Sequence, residues 1–83
     1  MKYSVYLIVT KTKNKHISYV GYTSNLKKRI NHHNAGKGAK FTKGRNWKLM
    51  YYEKYHTKKE AMSREYYIKH NKNFRNLLKN KYK

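Results

Sequence analysis

The sequence predicts a small α+β fold, a three-stranded antiparallel sheet flanked by helices in the order β-β-α-β-α-α. Three observations point there. Two runs rich in β-branched and aromatic residues, residues 3–10 and 16–23, stand either side of a hairpin-sized polar link. A third such run covers 47–55. Segments of helical period, each with a start signal, follow the second and third runs.

Taken in order, YSVYLIVT (3–10) is apolar on both faces, with Tyr3, Val5, Leu7 and Val9 on one and Tyr6 and Ile8 on the other. That suits a central strand. HISYVGYT (16–23) is the second strand, and Asn14 in the link tolerates left-handed geometry. An even link sets Lys11 opposite His16, Tyr6 opposite Gly21 and Ile8 opposite Tyr19. A helix is expected from about Asn25 to Asn34, capped by Thr23 or Ser24 and stopped by Gly36. GKGAKFTKGRN (36–46) reads as a basic, glycine-rich loop leading into the strand WKLMYYEKY (47–55). Thr57 and Glu60 form a capping box for a helix of about Lys58 to Asn71. Asn73 is expected to cap a last helix with Phe74, Leu77, Leu78 and Tyr82 along one side. With no proline, repeat or linker-like stretch, residues 1–83 read as one domain.

Composition narrows the chemistry. Twenty-two Lys and Arg face three acids, Glu53, Glu60 and Glu65, for a net charge of +19. With no Asp and no Cys, Ser-His-Asp triads, aspartic dyads, EF-hands, cysteine zinc fingers, disulfides and thiol catalysis are excluded. Leu, Ile, Val and Phe make only 14 of 83 residues, so the ten tyrosines must supply much of the core. The charge calls for a polyanion. Nucleic acid leads, because each neutralised phosphate releases counterions. An anionic membrane is disfavoured, since no apolar run is long enough to span one and no segment resembles a signal peptide; an intracellular protein is expected. Lys outnumbers Arg 18 to 4, a bias that suggests an AT-rich genome as part of the charge's origin.

Three groups of residues stand out. The register places Tyr6 and Tyr19 diagonally on one sheet face, with open space over Gly21; the plain alternative is that both fill a tyrosine-rich core. Arg29 and His33 are spaced i, i+4 beside the stripe of Leu26 and Ile30, where a solvated basic helix face is the alternative. Glu65 shares a helix side with Ala61, Met62 and Ile68, so one of three acids points to the core side of a strongly basic chain. A structural ion pair would account for it too. Glu60 is needed for its capping box, and Glu53 is expected to face solvent or a lysine. The Gly-Lys-Gly run at 36–38 lacks the ending of a phosphate-cradling P-loop. His32 and His33, adjacent on a helix, point apart and make a poor zinc site.

Ser4-Val5-Tyr6, Tyr19-Val20-Gly21, Arg29 with His33, and Arg64-Glu65 ahead of Ile68-Lys69 together resemble the GIY-YIG endonuclease superfamily. The likeness is to its short single-domain branch, similar to the nuclease domains of nucleotide-excision repair and junction resolution, over about residues 3 to 70. The segment 36–45, with Phe41 inside it, also resembles that branch's basic loop. Ser4 and Val5 depart from the first motif, while Tyr6 is kept. The resemblance implies a DNA endonuclease of repair or recombination that hydrolyses phosphodiesters with one divalent ion, Mg2+ or Mn2+, held by Glu65. Catalytic roles are implied for Tyr6, Tyr19, Arg29, His33 and Glu65. Arg29 would stabilise phosphoryl charge, and Tyr6, Tyr19 or His33 would take the proton of the attacking water, in a cationic pocket expected to favour phenolate. Lys28, Lys37, Lys40, Lys43, Arg45 and Lys69 are the expected nucleic-acid contacts, and Asn71, Asn73 and Asn76 are candidates for a further polar site residue. A homodimer or a partner protein could supply specificity. The departed first motif leaves open an alternative, a nucleic-acid-binding module on the same fold that does not cut.

Overall fold

Burial on both faces of the first strand organises the molecule. The computed structural model describes residues 2–12, 15–38, 42 and 44–81; Asn14, Lys40, Phe41, Lys43 and Tyr82, named above, lie outside them. The element order is β1 (Tyr3–Lys11), β2 (His16–Thr23), α1 (Leu26–Asn34), β3 (Lys48–Tyr55), α2 (Lys58–Lys69) and α3 (Lys72–Lys81). The strands form one antiparallel sheet in the order β2-β1-β3, so β1 is central, as its two apolar faces require. The β1–β2 register sets Tyr6 against Gly21, Ile8 against Tyr19 and Lys11 against His16. On the other side, Leu7 pairs with Tyr51 and Ile8 with Leu49, leaving Met50 as the extra residue of a bulge.

Each face of β1 has its own core. Val5 and Leu7 pack with Val20, Ala61, Ile68 and Leu78, bringing α2 and α3 onto one face. Tyr6 and Ile8 pack with Trp47, Tyr19, Leu26 and Ile30, bringing α1 onto the other. The two substituted positions of the first motif, Ser4 and Val5, are buried strand positions, and Val5 belongs to the face opposite Tyr6.

Several local expectations are corrected. Asn25, not Thr23 or Ser24, caps α1, its side chain accepting from the Lys28 N–H; Thr23 Oγ1 instead accepts from the Asn25 N–H. Asn71, not Asn73, begins α3, its Oδ1 accepting from the Phe74 N–H at 3.0 Å. The capping box of Thr57 and Glu60 is present as expected. Met62 is 47% exposed and not part of the core. Glu53 faces neither solvent nor a lysine. Its pairing with Val5 carries it to the α2–α3 face, where Arg64 Nε and Nη2 donate to its two oxygens at 2.8 and 3.0 Å. The Tyr51 and Tyr55 hydroxyls donate to the same carboxylate. Burial alone would raise the Glu53 carboxyl, but these donors outweigh it and hold it below its ordinary value.

Candidate functional site

The site begins with a missing side chain. Tyr6 lies opposite Gly21, and a Cβ at position 21 would stand 2.6 Å from Tyr6 Cζ. Only glycine there lets the Tyr6 ring lie across β2, and the ring's tip then meets α1.

From α1, His33 Nε2 is 2.8 Å from Tyr6 Oη, and Arg29 Nε donates to the same oxygen at 3.4 Å. The i, i+4 spacing of Arg29 and His33 is what brings both to one phenol. On the far side of the ring, His33 Nδ1 is 2.8 Å from Thr42 Oγ1. Arg29 can only donate, so Tyr6 Oη accepts from it. Assigning the phenolic hydrogen to His33 Nε2 then places the imidazole proton on Nδ1, donating to Thr42. The result is a line, Arg29 to Tyr6 to His33 to Thr42, in which Tyr6, His33 and Thr42 are buried.

The Tyr19 ring meets the His33 ring edge-on at 5.2 Å and the Trp47 ring at 6.4 Å. Unlike Tyr6, Tyr19 is half-buried, and it borders a cavity shared with Ser18, Val20, Lys69 and Arg75. The basic loop is fastened to this line at its ends. A Cβ on Gly38 would stand 2.9 Å from His33 Cε1, Trp47 Nε1 donates to the Thr42 carbonyl, and the Asn34 amide both donates to and accepts from the Trp47 backbone.

Burial sets the protonation states. It pushes the His33 imidazole down to about 4, helped by the positive charges of Arg29 and His32, so the ring is neutral near pH 7. Burial also raises the Tyr6 phenol; the hydrogen bond and charge of Arg29 offset this only in part, and Tyr19 and Glu65 push the same way as burial. The expected cationic drive towards phenolate is therefore outweighed at Tyr6, and His33 is not a group poised near neutrality.

Glu65 is half-buried on α2 and lies close enough for its charge to act on Tyr6. Among the described residues it has no hydrogen bond and no ion pair; the structural ion pair of this helix belongs to its neighbour Arg64. A half-buried carboxylate without a partner fits a cation ligand. No three His, Cys, Asp or Glu side chains lie together among the described residues, so the remaining positions around such an ion would be water and phosphate oxygen, which Mg2+ accepts.

Of the other expected contacts, Lys28, Lys37 and Lys69 are exposed and Arg45 is half-buried. Asn71 is the α3 cap, which removes it from the candidates for a polar site residue. Sequence reasoning missed Thr42 as the second partner of His33, and missed Asn34 and Trp47 as the clasp of the loop.

The model of the GIY-YIG catalytic domain matches residues 2–83. The chain belongs to the GIY-YIG family. Relatives of this GIY-YIG protein include a UPF0213 protein of Clostridium perfringens, 52% identical over 65 residues (77% of this chain, 69% of the relative). Another is a UPF0213 protein of Staphylococcus haemolyticus, 51% identical over 65 residues (77% and 78%). The UPF0213 protein YazA of Bacillus subtilis is 54% identical over 52 residues, 61% of this chain and 52% of the relative. This chain thus spans between about half and three quarters of those proteins' lengths, and their names assign no reaction. No solved structure matches the chain. Among the described residues, no helix is long and apolar enough to cross a membrane.

Proposed function

We propose that this GIY-YIG protein binds DNA through its basic surface and hydrolyses the phosphodiester backbone as an endonuclease dependent on a divalent ion at Glu65. The observation that supports this reading best is the convergence of Arg29 and His33 on the Tyr6 hydroxyl, within reach of the charge of Glu65, which has no partner among the described residues. Mg2+ or Mn2+ bound there would supply charge stabilisation for the departing oxygen.

The chain's own residues would divide the remaining work. Arg29, half-buried and hydrogen-bonded to Tyr6 through Nε, would offer its terminal nitrogens to a phosphoryl oxygen. Tyr6 and His33, both neutral near pH 7, orient rather than exchange protons. Tyr19, the more exposed phenol, would orient the attacking water, and only in its phenolate form would it take the water's proton. Lys28, Lys37, Arg45 and Lys69 would hold the backbone on either side; Lys40 and Lys43 are expected to act with them.

Binding without cutting is the second reading, and more of the molecule supports it than supports cutting. It needs only the fold and the +19 charge, whereas hydrolysis also needs an ion at a single carboxylate. Plasmid nicking with Mg2+ or with chelator, run beside DNA-binding anisotropy on wild type and Glu65→Gln, separates the two. Nicking that requires both the metal and Glu65 supports the nuclease. Binding with no nicking under any divalent ion leaves the binding module.

A further inference from the structure

We propose that the exposed face of α2 beside Glu65 is a stacking platform for unpaired bases, centred on Tyr66, so that the protein prefers single-stranded nucleic acid or the unpaired segments of branched nucleic acid. This rests on the nucleic-acid reading above and adds the form of the substrate.

Tyr66 is 64% exposed, matched only by Leu77 among the large apolar side chains of the described residues. It is nonetheless held in place. Its ring stacks on His70 at 4.1 Å with an interplanar angle of 30°, and His70 Nδ1 is 2.9 Å from the Tyr66 carbonyl. A ring supported on one side and open on the other offers a rigid flat surface at little further entropic cost.

At about 100° per residue, Lys69 and Met62 lie roughly 40° and 60° from Glu65 around the helix, and Tyr66 about 100° from it on the same flank. Met62 and Lys69 are exposed, and Lys69 also lines the cavity that Tyr19 borders. The platform is therefore continuous with the candidate site, and a strand crossing it would meet aromatic surface and positive charge together. That combination of basic track and open aromatic ring is what binds single strands without sequence readout.

The occupant is argued from charge. A second copy of this chain would bring +19 against +19, and duplex DNA keeps its bases stacked inside, where an exposed ring cannot reach them. Unpaired nucleotides satisfy both the ring and the lysines.

The test compares the wild-type protein with Tyr66→Ala and Tyr66→Phe by fluorescence anisotropy in chelator. The probes are a single-stranded oligonucleotide, its abasic counterpart and a duplex of the same length. Stacking predicts that Tyr66→Ala weakens single-strand binding by about 5- to 100-fold, that Tyr66→Phe restores it, and that the duplex and the abasic strand respond little. An equal loss on all probes, no loss on any, or an alanine-sensitive dimer seen by sedimentation would overturn the platform while leaving nucleic-acid binding intact. Absence of binding to every probe would instead overturn the nucleic-acid reading, and the platform with it.

Discussion

Tyr6 and His33, 27 residues apart in the chain, meet through a 2.8 Å contact between Oη and Nε2 that is sealed from solvent. The contact joins the central strand to the first helix, and it exists because residue 21 has no side chain to block the ring. Removing the Tyr6 oxygen would leave His33 and Arg29 facing a gap. Tyr6→Phe is therefore expected to cost about 1–3 kcal/mol of stability, the penalty for a buried polar group left unpaired. Chemical denaturation of the two proteins at pH 7 checks it.

His33 makes stability depend on pH. Its folded value of about 4 lies below the ordinary 6.5, so the unfolded chain binds a proton first as the solution is acidified. Its contribution is fully present above pH 6.5 and is lost as pH falls towards 4, by on the order of 3 kcal/mol. The His33→Gln variant should lack this part of the slope. Denaturation midpoints of both proteins between pH 7.5 and pH 4 measure the difference.

Arg29→Ala should lower cleavage by about 2.7–4 kcal/mol of transition-state stabilisation, if the guanidinium acts on charge developing at phosphorus. DNA binding should change far less, because many other cations remain. Equal losses in nicking rate and in affinity would make Arg29 an ordinary phosphate contact.

Glu65 separates structure from function. With no partner among the described residues, its replacement by Met should leave stability unchanged or raise it by about 0.5–2 kcal/mol, as for functional groups held against stability. The same variant should lose metal-dependent nicking and keep DNA binding. A less stable protein that still cuts would remove Glu65 from the mechanism.

One residue earlier, the opposite result is expected. Arg64 donates twice to Glu53, which is only 16% exposed at its side chain, and lies over the Tyr67 and Phe74 rings at 4.8 and 5.2 Å. Arg64→Met should cost roughly 1.5–3 kcal/mol, while nicking well below the melting temperature persists. Thermal melts and nicking assays on Arg64→Met and Glu65→Met together test the division of labour.

Binding should be steeply salt-dependent. If about six phosphates are engaged, log K against log[salt] should fall with a slope near −5 on duplex DNA. A slope shallower than about −2 would sink the basic-surface account.

Local chemistry explains what was legible in the sequence. A short even link fixes a hairpin register, so Tyr6, Gly21 and Tyr19 could be placed against one another from spacing alone. The i, i+4 pair on α1 and the capping box of α2 are equally local. What escaped depends on contacts between distant segments. The bulge at Met50, and the register that turns Glu53 inwards to Arg64, follow from how β3 docks on β1. Thr42 meets His33 from nine residues away, a contact that no local pattern announces. The caps at Asn25 and Asn71 were missed because polar neighbours compete at both helix starts, and backbone geometry chose among them. The pKa directions were misjudged for a related reason. The net charge suggested a phenolate-favouring pocket, whereas burial dominates at both Tyr6 and His33.

The clasp between Asn34 and Trp47 has a consequence for variation. Its two hydrogen bonds close the segment at the base, and the Thr42 contacts with His33 and Trp47 tie it again part-way along. Once both ties are made, lengthening the chain between them costs little, since closure entropy grows only with the logarithm of length. The loop is in effect a replaceable cartridge on a fixed mount. Grafts of different length and charge at that position should alter which nucleic acids are gripped while leaving the alignment of Tyr6, Arg29 and His33 as it is.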